Sequence, residues 1–389
     1  MSTSTVTPFS GGIGRYTVLL KRGMEQVGHD VALITPPQRI SDASPGDWTG
    51  LLEENVALVG NAVRQLSSGG RSWDLVHAMD IYDAPAAMAL ADAVEAPLVL
   101  SKLFCERPYH EERRRGYGHL SAREAAVREH FHEYALGLER RAISRADRIV
   151  AISPWVRDEV LAMVPEADTK ISVIPLASTV EAEPDPEQVA KLRATVCSPG
   201  ELLLLLPGRI VATKGGDLAV RALAALPDLA ARLVFAGDGS FQGRLKELAA
   251  ELGVAERVSF TGMLDHAELV NWYVAADVVL APSRADAFPL TVADCLGLGR
   301  LVIGSDVSGN RDQVDHGENG LLFTSENTSA LAQQIRWAAT HPVEAKAVAE
   351  RAHERANRDP NPWRTIAART AAHYPSADES RDGGRAARH

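Results

Sequence analysis

Short apolar runs alternate with amphipathic stretches along almost the whole chain. In the first half they fall at residues 5–7, 31–35, 75–77, 98–101, 148–152 and 172–174, and in the second at 202–206, 233–236, 258–260, 278–281 and 301–304. Each is too short for a buried helix, and the segments between them have helical spacing, so the pattern predicts strands alternating with helices. The first helix is marked by Tyr16, Leu19, Leu20, Met24 and Val27, with Gly28 placed for a left-handed stop. Leu245, Leu248, Ala249 and Leu252 form a second apolar stripe, ending at Gly253. Alternation of this kind implies α/β architecture with parallel sheets covered on both faces.

A chain of 389 residues exceeds one ordinary core and fits two domains. Residues 178–187 are acidic, carry two prolines and lack periodicity, which predicts a linker, so the expected domains are 1–187 and 188–358. Helical spacing resumes after Asp359-Pro360-Asn361-Pro362-Trp363, and 359–374 is expected as a C-terminal helix that crosses back to the first domain. The small, polar residues 375–389 read as a disordered tail.

Composition narrows the function. With 46% apolar and 24% charged residues the chain is globular, and a net charge of −10 argues against nucleic acid as a partner. Cys105, Cys197 and Cys295 are widely separated and fit neither a disulfide framework nor a zinc site, which points to a reduced, cytoplasmic setting. No run is long enough to span a bilayer, and no basic and apolar leader opens the chain.

Three places carry candidate chemistry. Ser10-Gly11-Gly12-Ile13-Gly14 lies between a short strand and a helix, where glycines let a phosphate approach the helix N-terminus; a plain turn would look the same. Leu206-Pro207-Gly208-Arg209 and Lys214-Gly215-Gly216 place two cations where a strand gives way to a helix. Two carboxylates, Asp286 and Asp294, flank Phe288-Pro289-Leu290 after the strand at 278–281, and carboxylates accept well from sugar hydroxyls. Asp286 also stands where it could cap the helix beginning near Pro289.

In combination these pieces resemble the retaining glycosyltransferases of family 4, whose fold is GT-B, two doubly wound Rossmann-like domains facing across a cleft. The family's signature has two Glu around an internal Phe-Gly or Phe-Pro, and here both acids are Asp. The resemblance implies that Arg209 and Lys214 hold the donor diphosphate, and that Asp286 contacts the transferred sugar. It assigns Asp294 to the ribose hydroxyls, and Gly11, Gly12, Gly237, Gly239, Phe260, Phe288, Pro289 and Leu290 to the rest of the donor. Arg209, Lys214 and Asp286 are thereby the expected catalytic residues. On the acceptor side it points to Arg15, His77 and Lys102; after the strand at 98–101, where many relatives carry a His-Asp pair that touches the donor sugar, this chain reads Ser101-Lys102-Leu103-Phe104 and no His can be carried over.

The implied activity is transfer of a hexosyl group from a nucleoside-diphosphate sugar to a small polar acceptor, with retention and without metal or other cofactor. Two other readings fit the same residues: a sugar-nucleotide isomerase or phosphorylase on this fold, and a non-catalytic binder or accessory subunit. Donor base, acceptor and oligomeric state are not encoded in any motif.

Overall fold

The computed structural model describes residues 11–34, 72–81, 83–114 and 121–375. The expected strand at 5–7, Ser10 of the glycine turn and residues 376–389 of the expected tail lie outside them. In chain order the elements are α1 (Gly11–Gln26), β1 (Val76–Ala78), α2 (Ala84–Ala93), β2 (Leu98–Lys102), α3 (Glu106–Arg114), α4 (Ala122–Arg145), β3 (Arg148–Ala151), α5 (Pro154–Met163) and β4 (Ile171–Val173). There follow α6 (Pro186–Val196), β5 (Leu202–Pro207), α7 (Gly216–Ala224), β6 (Ala231–Ala236), α8 (Gln242–Glu251), β7 (Val258–Phe260), α9 (His266–Ala275) and β8 (Val278–Ala281). The last are α10 (Leu290–Gly297), β9 (Leu301–Ser305), α11 (Ser308–Gln313), β10 (Leu321–Phe323), α12 (Thr328–Thr340), α13 (Pro342–Ala356) and α14 (Pro362–Ala372).

These elements form two compact units, one drawn from Met1–His110, Tyr117–Leu176 and Asn361–His389, the other from Glu111–Gly116 and Ala177–Pro360. The division falls at Leu176, ahead of the boundary expected at residue 187. Residues 178–187 are therefore built into the second unit: Asp185 caps α6 by accepting from the Glu187 and Gln188 amides, with Pro186 in the first turn. Asp-Pro looks like a linker by composition, yet it is also a helix start.

In the first unit β1, β2, β3 and β4 lie in that order, all parallel. The strand expected over 31–35 does not form across the described residues 31–34, apart from a single bridge at Ile34. Helix α1 buries Tyr16, Leu19, Leu20 and Met24 and ends before Gly28, whose φ is +97°. Against it packs α14, with the Tyr16 and Trp363 rings 6.0 Å apart. Polar groups inside this packing are paired in series. The Tyr16 hydroxyl lies 2.9 Å from Ser101 Oγ, which lies 2.9 Å from His77 Nε2, and His77 Nδ1 lies 3.0 Å from the Tyr374 hydroxyl. Next to Tyr374, His373 reaches Ser172 Oγ and the Ile149 carbonyl, both at 3.1 Å. Burial raises the Tyr16 phenol to about 12 and lowers the His77 imidazole to about 3, so both stay neutral and serve only as hydrogen-bonding groups.

The second unit has the order β10-β9-β8-β5-β6-β7, again all parallel. Alternation within the strands divides its core in two. Leu204, Leu206, Leu233, Phe235, Leu280 and Ile303 face one side, and Leu203, Leu205, Val234, Val279 and Val302 the other. Helices cover both faces, which is why these strands read as continuous apolar runs. Strand β5 is the turning point. The chain proceeds from it to β6 and β7 on one side, then crosses to lay β8, β9 and β10 on the other. In an open parallel sheet the crevice at the carboxyl ends of such a pair of strands is the place where ligands bind.

The neutral His77 makes the first unit acid-sensitive. Below the unfolded-state pKa of about 6.5 the unfolded chain takes up a proton that the folded one refuses. Stability should therefore fall as pH drops from there towards about 3, by up to ~1.4 kcal/mol per pH unit. Urea unfolding of the parent and His77→Gln at neutral and mildly acid pH should show this slope in the parent alone. An equal slope in both proteins would remove His77 from the account.

Candidate functional site

The loops that leave β5 and β8 meet at this crevice. After β5 the backbone is laced to the loop after β6: the Gly208 amide donates to the Ala236 carbonyl at 2.9 Å, Ile210 to Asp238 at 2.8 Å, and Phe241 to Ile210 at 2.9 Å. The fit leaves no room for side chains, since a Cβ on Gly237 would lie 2.1 Å from the Gly208 carbonyl oxygen. Arg209 is thereby held between two pinned neighbours. Its side chain is exposed and makes no hydrogen bond or ion pair among the described residues.

A single 3-10 turn, Ala212–Lys214, then leads into Gly215. Gly215 has φ +68°, and a Cβ there would come within 1.9 Å of the Pro282 carbonyl oxygen. Only glycine allows this contact, which brings the Lys214 turn against the loop after β8. Lys214 Nζ consequently pairs with Asp286 Oδ2, with side-chain exposures of 23% and 11%. Asp286 does not cap α10; the N-cap position is Pro289, with no side-chain cap bond. From the other side the Gly309 amide donates to the Asp286 carbonyl at 2.8 Å.

Arg284 fixes this geometry, and nothing in the sequence marks it. Its guanidinium donates to both Asp217 oxygens at 2.8 Å, to Glu326 at 2.6 Å and to the Ala212 carbonyl at 2.7 Å, while its amide donates to Thr213 at 2.8 Å. Burial alone would lower its pKa, but the bonds and charges of Asp217 and Glu326 more than offset that and raise it. One planar fork thus ties the Lys214 turn, the start of α7 and the loop after β8 together. A lone Arg whose partners are distant in sequence leaves no motif to find.

Other expected donor residues are placed as follows. Phe288 and Pro289 are buried and Leu290 opens α10. Gly237 and Gly239 sit in the laced loop, where their lack of a side chain is used for packing against Gly208 and Ile210. Phe260, expected to edge the nucleotide base, stacks on Phe235 with centroids 4.9 Å apart, and Lys246 Nζ lies 5.3 Å from the Phe260 ring centroid. Gly11 and Gly12 form the first turn of α1, and Gly12 is exposed.

Three of the expected site residues are engaged inside the protein. Asp294 is 2% exposed, and its carboxylate accepts from the Thr179 amide at 2.5 Å and from the Ser178 and Thr179 hydroxyls at 3.1 Å. It holds the chain segment entering the second unit. His77 has both ring nitrogens engaged, by Ser101 and Tyr374. Lys102 is 1% exposed and paired with Glu139 at 2.5 Å, with the Phe104 carbonyl as a further partner. Burial would lower the Lys102 pKa, and the Glu139 charge outweighs this and raises it. Arg15 is half-buried on α1. Partners brought in from distant segments decide what each of these polar residues touches.

Among the described residues no group of three or more His, Cys, Asp and Glu is arranged to hold a metal ion, and no helix is long and apolar enough to cross a membrane. Cys105, Cys197 and Cys295 are free thiols.

Comparison with known proteins places the chain among glycosyltransferases. Residues 191–355 match the family model for glycosyl transferases group 1, and residues 10–177 that for glycosyltransferase family 4. Glycogen synthase of Mycobacterium tuberculosis is 26% identical over 405 residues, covering 94% of this chain and 91% of that protein. A D-inositol 3-phosphate glycosyltransferase of Catenulispora acidiphila is 32% identical over 51% of this chain and 50% of its own length. Two solved structures share the GT-B fold. Sucrose-phosphate synthase of Thermosynechococcus elongatus has a TM-score of 0.73 at 22% identity over 93% of this chain and 92% of its own. Anabaena HepE in complex with UDP-glucose has 0.73 at 19% identity over 96% and 98%.

Replacing Arg284 by Ala leaves Asp217 facing the interior without its partner. Discounted for the partial exposure of both acids, this should cost about 2 kcal/mol of unfolding free energy. Arg284→Lys, which keeps the charge but not the fork, should recover less than half of it. Chemical denaturation of the three proteins measures both, and a loss within ~0.5 kcal/mol for the Ala variant would make the clamp an ordinary surface pair.

Proposed function

The chain belongs to the family 4 glycosyltransferases, and we propose that it transfers a hexosyl group from a nucleoside-diphosphate sugar to a small polar acceptor with retention of anomeric configuration. The observation that carries this is Arg209, exposed and making no hydrogen bond or ion pair among the described residues, on the same loop after β5 as Lys214, whose ammonium pairs with Asp286 of the loop after β8. Two cations at a switch point suit a diphosphate, and a carboxylate next to one of them suits the hydroxyls of the sugar it carries.

In this reading the donor diphosphate lies against Arg209 and takes a share of Lys214, whose ammonium can serve Asp286 and a phosphate oxygen together because it has three donors. Asp286 then accepts from a hydroxyl of the transferred sugar. The acceptor oxygen attacks the anomeric carbon on the face from which the diphosphate leaves. The new C–O bond forms as the old one breaks, and the departing phosphate oxygen takes the acceptor's proton. Arg209 and Lys214 stabilise the charge that grows on that phosphate, a contribution of placed electrostatics that takes over the role a divalent ion would have.

A cyclitol, a sugar or a secondary metabolite is the proposed acceptor class. The relatives named as D-inositol 3-phosphate glycosyltransferases favour the cyclitol among these, and their match covers about half of the chain. Three free thiols agree with a reducing cytoplasmic setting.

Because Arg209 is exposed and touches nothing that folding needs, Arg209→Ala should keep the parent melting temperature while turnover falls about 100- to 1000-fold. Product mass and the anomeric coupling constant identify transfer and retention. Near-parental transfer by this variant would falsify the role given to Arg209. Conversion of the donor without any acceptor would point to an isomerase instead.

A further inference from the structure

Asp294 occupies the position that the resemblance assigns to the nucleotide ribose, but its partners are already inside the protein. Three donors converge on it: the Thr179 amide at 2.5 Å from Oδ1, the Ser178 hydroxyl at 3.1 Å from Oδ1, and the Thr179 hydroxyl at 3.1 Å from both oxygens. The seat for these residues is shaped to receive them. Gly297 stands one turn beyond Asp294 on α10, and a Cβ there would come within 3.2 Å of Ser178 Cβ and 3.3 Å of its Oγ. Residues one turn apart share a helix face, so acid and glycine together make a socket for 178–179. The carboxylate is 2% exposed and Thr179 1%. Being one methylene shorter than Glu, the side chain that holds the Thr179 amide has less reach towards a ligand.

We infer that this site does not read the ribose hydroxyls: Ser178 and Thr179 have taken the carboxylate that would do so, and the enzyme accepts 2′-deoxyribonucleoside diphosphate sugars as readily as ribonucleoside ones. The inference rests on the proposed donor site. A ribose diol bound by a carboxylate makes charge-assisted hydrogen bonds, and losing one such bond typically weakens binding by about tenfold or more. A site whose carboxylate is internally satisfied has no such bond to lose. Diphosphate affinity then comes from Arg209 and Lys214, which are indifferent to the 2′ position. Thr179 thus acts as a specificity-determining residue through Asp294, and neither needs to touch the ligand.

The test is calorimetric titration of the full chain with matched ribo- and 2′-deoxyribonucleoside diphosphates of each base, and of Thr179→Val, which removes the hydroxyl from both carboxylate oxygens but keeps the amide bond. For the base that binds, the parent should show dissociation constants equal within about threefold. The Val variant, if its melting temperature shows it folded, should gain a ribose preference of about fivefold or more. A parental ribose preference of about tenfold or more overturns the inference while leaving the donor site standing. Equal binding of both sugars by Thr179→Val overturns the role of Thr179. Failure of every diphosphate to bind the parent overturns the donor site itself, and the inference with it. Where Thr179→Val does not fold, Ser178→Ala is titrated in its place against the same expectation, and the parental ratio decides alone.

Discussion

The parallel pairing of β5 with β8, Leu204 opposite Val278 and Leu205 opposite Val279, governs the second unit. It forces the chain to part at β5, since β6 pairs on the other edge of the same strand. Two loops from opposite halves of the sheet therefore emerge side by side, without helix between them. Everything assigned to function stands on those loops. Their approach is limited by backbone, not side chains: Gly215 lies against the Pro282 carbonyl and Gly237 against that of Gly208. Arg284 then locks the arrangement from beneath through Asp217, Glu326 and Ala212. Lys214 and Asp286 meet as a consequence of strand order, and their identities exploit that meeting.

Polar residues expected at the site differ by whether they are already committed to partners inside the protein. Lys102 is committed to Glu139, His77 to two hydroxyls and Asp294 to Thr179. Each is buried, and burying a polar or charged group without a partner would cost several kcal/mol, so the partners are obligatory for the fold. Arg209 is the opposite case, exposed and uncommitted. Lys214 and Asp286 stand between these extremes, partly exposed and paired with one another, a state that a ligand can share without leaving a bare charge in the interior. Available charge, more than the presence of charge, separates a binding group from a structural one here.

Much of this architecture was legible in the chain. Every apolar run from 75 onward became a strand at nearly the expected place, because strands buried on both faces cannot hide polar residues. The short β10 was not expected, since Leu321–Phe323 is too brief to stand out from its surroundings. The Arg209 and Lys214 loop was legible because two cations between glycines after a leucine run have few other uses. Asp294, His77 and Lys102 carried the same kind of signal, and what sequence could not show was a partner more than twenty residues away in each case: Thr179, Ser101 and Glu139. Arg284 fails in the reverse sense. Its importance lies wholly in Asp217 and Glu326, which no local pattern connects to it.

The proposed donor site must attract a highly charged ligand to a chain whose net charge is −10. Global charge is a poor guide to what happens there, because beyond the Debye length of about 8 Å at physiological ionic strength it is screened. What acts on a bound diphosphate is the local sum. Arg284 is held by Asp217 and Glu326 together, and Lys214 by Asp286, which leaves Arg209 as the cation of this set that makes no ion pair among the described residues. A diphosphate drawn to Arg209 would weaken the hold of Asp286 on Lys214 by competing for the same ammonium. In the proposed reading the hydroxyls of an attached sugar offer Asp286 a further donor at that point. A mutually neutralising pair of this kind favours the whole donor over its fragment.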